Sequence, residues 1–226
     1  MSLRGTLHPD FHGVARVLER QLHGTRGGAA VCVYHRGECV VDLWGGVRDP
    51  QGRPWEHDTV APSFSTTKGV MSALLHVLVD RGLLDYDDPI ARHWPEFGQG
   101  GKGAITVRQL LTHRAGLYDI RPRIDHARRM LDWQYMTEVL ARGEPSPLSG
   151  SRSAYHALTY GWLVGELVQR VGGRPLAVLL DELIARPLGL DGLFVGVARE
   201  QLGRVARLVP ARAPGSSKRG AWPVPE

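Results

Sequence analysis

The stretch Ser63-Phe64-Ser65-Thr66-Thr67-Lys68-Gly69-Val70, SFSTTKGV, puts a serine one helical turn ahead of a lysine. A serine hydroxyl is a poor nucleophile until a neighbouring group takes its proton. Residues three apart share a helix face, so Ser65 at a helix start can meet the Lys68 amine. A lysine acts as a base only when its pKa falls from about 10.4, and burial among side chains such as Phe64, Val70, Met71 and Leu74 does that. The free N–H groups of a helix start can also bind a developing oxyanion. Read alone, however, the octet favours a plain helix start followed by a surface lysine. Ten serines and three lysines among 226 residues give about 0.13 accidental Ser-x-x-Lys matches. The surroundings have to decide.

Downstream, residues 66–81, TTKGVMSALLHVLVDR, read as a mostly apolar helix ended by Gly82. A helix apolar on most sides belongs in the middle of a domain. Upstream, Phe11, Val14, Leu18 and Leu22 stand at helical spacing between Pro9 and Gly24. Residues 27–46 then read as a β-hairpin turning at Arg36-Gly37 and closed by Gly45-Gly46, and residues 47–59 as loop. After a polar connection over residues 85–104, Thr106 caps a short helix, VRQLLTH, stopped before Ala115-Gly116. Further helices are expected over about 125–142, 157–171 and 175–186, the last two separated by Gly172-Gly173. Two strands against five or six helices is an imbalance, because a lone hairpin is marginal in water unless something covers it.

A second candidate stands in residues 153–173, SAYHALTYGWLVGELVQRVGG, where Tyr155 opens another apolar helix with His156 and Ala157 behind it. A tyrosine held near a lysine can relay a proton between nucleophile and leaving group. Taken singly, it would be an ordinary core or surface aromatic. Other motifs are weaker. Gly150–Ala154 resembles a Gly-x-Ser-x-Gly elbow but ends in alanine and follows no strand. His113 is expected to be structural, near a helix end, with no acidic partner in view. Asp85, Asp87 and Asp88 lack calcium-loop spacing and are expected to cap a turn.

SFSTTKGV, WPEFGQGGKGAITVRQLLTHRAGL, YHALTYGWLVGELV and ARPLGLDGLFVGV, in that order, resemble the serine β-lactamase superfamily, and within it the class C-like carboxylesterases. The resemblance runs from about Phe11 to Val197. It implies an α+β fold of the β-lactamase/transpeptidase type, a helical region beside an antiparallel sheet. It also implies that Ser65 is the acyl-accepting nucleophile, Lys68 its general base and Tyr155 the tyrosine of the second family motif. Phe64, His156 and Ala157 beside them are candidates to line the substrate site, a solvent-exposed role being at least as good a reading of His156. No metal or organic cofactor is implied. Ala157 stands where that motif has asparagine, which favours small esters over β-lactam or D-Ala-D-Ala amides. The third family motif, on a C-terminal strand, is not found after Tyr155; Trp44-Gly45-Gly46 lies on the hairpin and is not given that role. The expected domain is therefore 1–197, lacking its C-terminal sheet strands, followed by a poorly ordered basic tail over 198–226 in which a short helix around 200–208 has room to form. A catalytically silent homologue is the alternative from outside the enzymes.

Composition narrows the setting. With 42% hydrophobic and 23% charged residues the chain reads as a soluble globular protein. No apolar run reaches the roughly 18 residues of a membrane span, nor does the N-terminus carry a secretory core, so a cytoplasmic location and no membrane partner are expected. Of the net charge of +5, residues 198–226 carry +4, six basic against two acidic. A solvated tail explains that better than nucleic-acid binding. Cys32 and Cys39 flank the hairpin turn, diagonal on one face, and are expected as buried thiols. The sheet edge left open by absent strands is a candidate for self-association.

Overall fold

The computed structural model describes residues 2–208. They fall into two compact units, one of residues up to 62 together with those from 197 on, and one of residues 63–196.

The first unit holds a three-stranded antiparallel sheet in the order β1-β3-β2, built from β1 (Arg4–Leu7), β2 (Gly28–His35) and β3 (Glu38–Gly46). Arg36 and Gly37 both take positive φ, 52° and 86°, which gives the hairpin a turn matching the strands' twist. Helix α1 (His12–Leu22) packs Leu18 and Leu22 against Val40, Val41 and Leu43. β1 is the strand absent from the pattern reading, because Arg-Gly-Thr-Leu carries little β-branched signal. It pairs with β3 from Arg4↔Trp44 to Leu7↔Val41. Gly5 makes that approach possible: a Cβ there would lie 1.9 Å from the Asp42 carbonyl oxygen, at φ +115°.

Cys32 and Cys39 are free and exposed, which corrects the expectation of buried thiols. Val31, Val33 and Val41 turn towards α1, so the alternate residues turn outward, and the two Sγ atoms lie 3.8 Å apart on the outer side. A register shift between Val33 and Tyr34 places Cys39 opposite Tyr34 while Cys32 stands opposite Asp42. Of the segment expected as a tail, residues 198–208 return to this unit. Arg199–Arg204 forms a 3-10 turn, Val205 bridges Val60, and Ala206 is buried. Residues 209–226 lie outside the described residues.

The second unit is helical. Its centre is α2 (Thr66–Asp80), burying Met71, Leu74, Leu75 and Leu78. α3 (Ile90–His93), α4 (Val107–Leu111), α5 (Trp133–Arg142), α6 (Thr159–Gly172) and α7 (Leu176–Leu180) contribute to the same core. The start of α4 and the end of α6 carry the signals of the sequence, whereas the helix expected over about 125–142 begins only at Trp133, behind a 3-10 turn over Ala127–Leu131. Thr106 and Gln109 form a reciprocal capping box on α4, Asp132 caps α5, and Gly173 at φ +66° closes α6. Two segments are more structured or more broken than the pattern implies. Residues 85–104 contain α3 and a 3-10 turn, because Ile90, Trp94 and Phe97 are buried anchors between the prolines and glycines. The last expected helix leaves α-geometry after Leu180 and continues as a π-helical turn over Asp181–Ala185.

The acidic run does cap a turn. Asp88 accepts from the Asp85 N–H at 3.0 Å and pairs with His93 at 2.8 Å and Arg92 at 2.5 Å, while Asp87 binds Arg108. Lys102 is fully buried and donates to three main-chain carbonyls, of Gln99 at 2.7 Å, Ala141 at 2.9 Å and Gly143. It thereby ties the glycine-rich loop to the end of α5. Burial pushes its ammonium down to about 8, whereas the three carbonyl dipoles favour the charged form.

Candidate active site

Ser65 reaches its place through a sharp turn. Phe64 sits at φ +48°, and successive bonds then run from Thr66 N–H to Ser63 O, Thr67 N–H to Phe64 O and Lys68 N–H to Ser65 O. Left-handed backbone is costly for a bulky aromatic, and strain of this kind persists only where neighbours over-determine it. Ser65 consequently stands at the cap position of α2, exposed to solvent, and Lys68 follows one turn later, half-buried. The Lys68 Nζ lies 3.2 Å from Ser65 Oγ and donates to the Ala157 carbonyl at 2.8 Å.

Tyr155 arrives from the segment before α6. Its ring lies under the lysine, 4.8 Å from Nζ to the ring centroid. A hydrogen bond with Ser65, and then one with Lys68, pulls its phenol below the ordinary range. Serine hydroxyl, amine and phenol therefore share one hydrogen-bonded cluster. An amine in its neutral form can donate to Ala157 O and keep its lone pair for the serine proton.

The main-chain carbonyl of Ala157 is a role that residue typing could not show, since any side chain would serve. Ala157 and Phe64 are exposed next to the cluster. His156 is a correction. Expected to line the substrate site, it is fully buried, its Nε2 accepting from Leu117 N–H at 3.1 Å and its Nδ1–H donating to Ala154 O at 2.7 Å. Burial, the largest effect, pushes its pKa down to about 4. With both nitrogens occupied it is a satisfied core histidine and offers nothing to an oxyanion.

Two further residues support the cluster. Ser72, one turn beyond Lys68, donates to the Lys68 carbonyl at 2.9 Å, and its Oγ meets the buried Tyr160 hydroxyl at 2.6 Å. Their spacing was available: Ser65, Lys68 and Ser72 follow the 3-4 rhythm of one helix face. The other is His113, whose ring lies between Tyr155, met edge-on, and Tyr160, at centroid distances of 4.9 and 4.8 Å. A surface concavity of about 470 Å³, lined in part by Trp94, Trp133, Glu166 and Arg170, includes none of these residues. Among the described residues, no three His, Cys, Asp or Glu side chains are grouped to hold a metal ion. No described helix is long and apolar enough to cross a membrane.

A serine and a lysine thus stand one turn apart at the head of a central helix, with a tyrosine brought over them from a second segment. The chain belongs to the beta-lactamase family, whose profile, described as Beta-lactamase, matches residues 14–225. It is 43% identical over 194 residues to the esterase/beta-lactamase LipL of Mycobacterium tuberculosis, covering 85% of this chain and 44% of that protein. It is 32% identical over 198 residues to the esterase EstB of Burkholderia gladioli, covering 77% of this chain and 48% of that one. Among solved structures, a family VIII carboxylesterase superposes with a TM-score of 0.85 at 36% identity, over 93% of this chain and 58% of its own. The chain thus spans about half the length of the curated relatives it matches. Its fold is β-lactamase/transpeptidase-like, with helices and a small antiparallel sheet.

Proposed function

We propose that the chain hydrolyses small carboxylic esters through an acyl-enzyme on Ser65. The observation that carries this reading is the convergence of Ser65, Lys68 and Tyr155 in one hydrogen-bonded cluster. Lys68 takes the Ser65 proton as Oγ attacks the ester carbonyl carbon. When the tetrahedral adduct collapses, the bond to the alkoxy oxygen breaks and Tyr155 gives that oxygen its proton. The proton on Lys68 then restores the phenol. Water attacks the acyl carbon next, its proton passing back through the same pair to Ser65. Phe64 and Ala157 border the position where the acyl group would sit.

The relatives named as esterases support this class. Amide or β-lactam hydrolysis is the second reading, favoured by the D-alanyl-D-alanine-carboxypeptidase/endopeptidase AmpH of Escherichia coli, 27% identical over 188 residues. Ala157 argues against it, having no side-chain amide to hold the acyl side of such a substrate. Incubation with a fluorophosphonate and peptide mass spectrometry is expected to find the label on Ser65. Short-chain p-nitrophenyl esters are expected to be turned over with a higher specificity constant than nitrocefin. Label on Ser151 or Ser153 with Ser65 untouched overturns the assignment, and a reversed substrate order overturns the class.

A catalytically silent homologue is the reading from outside the enzymes, and a chain that neither takes the fluorophosphonate nor cleaves the ester would favour it. We also propose self-association through β2, which is an edge strand among the described residues.

A further inference from the structure

His113 holds the chain on both sides of Tyr155. It leaves α4 with φ +60°, its N–H bonded back to Leu110 O at 3.0 Å. From there its carbonyl accepts the Ala154 N–H at 2.9 Å and its ring Nδ1 accepts the His156 N–H at 3.2 Å. Residues 154 and 156 are thus gripped by one side chain and its own backbone, with Tyr155 between them. The ring meets the Tyr155 ring edge-on, 61° apart in plane. This is an unusual amount of structure for a residue at a helix end, and it is directed at the candidate proton carrier.

We propose that His113 is the positioning residue for Tyr155, and that only its neutral imidazole, with Nδ1 unprotonated, holds the phenol over Ser65 and Lys68. The inference rests on the reading of Ser65, Lys68 and Tyr155 as the reacting groups. Its chemistry is that of a single acceptor. A neutral imidazole whose Nδ1 accepts carries its proton on Nε2. A second proton turns Nδ1 into a donor facing the His156 N–H and adds a positive charge near Lys68. The groups around the ring are Lys68 from α2, Tyr155 and His156 from the preceding segment and Tyr160 from α6. Burial, the largest effect, disfavours the imidazolium and holds its pKa below the ordinary value of 6.5. The clamp therefore stays closed at neutral pH and opens on the acid side of 6.5.

Two substitutions separate positioning from bulk. His113→Asn tolerates the left-handed backbone, places Oδ1 near the position of Nδ1 and cannot titrate. His113→Gly accepts the same backbone and removes the acceptor. With 13C-labelled tyrosine, Tyr155 is identified by its absence in Tyr155→Phe and its phenol is titrated by NMR. It is expected to titrate below the ordinary range in the wild type and in His113→Asn, and to return towards about 10 in His113→Gly. For p-nitrophenyl butyrate, kcat is expected to fall about 10²-fold in His113→Gly with KM within about threefold. In His113→Asn, kcat stays within about threefold and the acid limb of the pH profile moves down or flattens. A Tyr155 titration unchanged in His113→Gly, or an acid limb unmoved in His113→Asn, overturns the proposal. A wild type that neither takes the fluorophosphonate nor cleaves the ester overturns the reading of the site instead, and the NMR titration still decides the clamp.

Discussion

Phe64 shows at one residue how the site is held. Its left-handed φ of +48° costs about 1–2 kcal/mol for an L-residue with a side chain, and its ring is 69% exposed, so packing returns little. Replacing it by glycine removes the strain but adds about 0.5–1 kcal/mol of unfolded-chain entropy. Phe64→Gly is therefore expected to raise stability by about 0.5–1 kcal/mol in urea titration, and to raise KM for a butyrate ester about fivefold with kcat nearly unchanged, since an exposed aromatic beside Ser65 can contribute only uniform binding. Tyr155→Phe separates the proposed proton carrier from the proposed nucleophile. It is expected to lower kcat about 10²–10³-fold while Ser65 still takes the fluorophosphonate. At this scale the sequence brought Ser65, Lys68 and Tyr155 forward as candidates by the chemistry of their side chains, and the structure brings them together. It was silent on contacts made by a main-chain carbonyl, as at Ala157, or by an imidazole accepting from a backbone N–H, as at His113.

Elements with caps were legible; elements assembled from tertiary anchors were not. Thr106 and Gly173 announce a start and a stop because their local bonds need no distant partner. The turn-rich stretch before Thr106 is ordered by Ile90, Trp94 and Phe97 reaching a core that local pattern cannot foresee. β1 was missed for the same reason: its ladder belongs to β3, 34 to 40 residues away along the chain in the register from Leu7↔Val41 to Arg4↔Trp44. The Lys102 junction gives this scale its test. Lys102→Met keeps the length and removes the donors for three buried carbonyls, so a loss of about 3 kcal/mol is expected in urea unfolding. A loss under about 1 kcal/mol would show that water replaces the ammonium without penalty.

Over the whole molecule, pH and concentration are the variables to watch. Asp88 has its carboxyl held down to about 2, by the Asp85 N–H first, then His93 and Arg92, against the opposing effect of burial. A depressed carboxyl stabilises the fold above its unfolded value of 3.8, and the contribution is lost as pH falls through about 2. Asp88→Asn is thus expected to cost about 2 kcal/mol at pH 7, with the difference from wild type shrinking between pH 4 and 2. Thermal melts across that range would measure it. Concentration bears on β2, whose outer edge has no partner strand among the described residues. A lysine on an edge strand discourages pairing between copies. Ala30→Lys is expected to shift a concentration-dependent oligomer to monomer in size-exclusion chromatography; a wild-type chain already monomeric at high concentration refutes the edge argument.

The cage around Lys102 has a practical corollary for amine chemistry. The chain has three lysines, and one of them spends all its N–H hydrogens on carbonyls with no surface open to solvent. An acylating reagent added to the folded protein meets Lys68 beside Ser65, whereas Lys102 becomes available only after the glycine-rich loop and the end of α5 part. The acetylation rate at that single amine is then a clock for the opening of the helical unit, readable by mass spectrometry without any engineered probe.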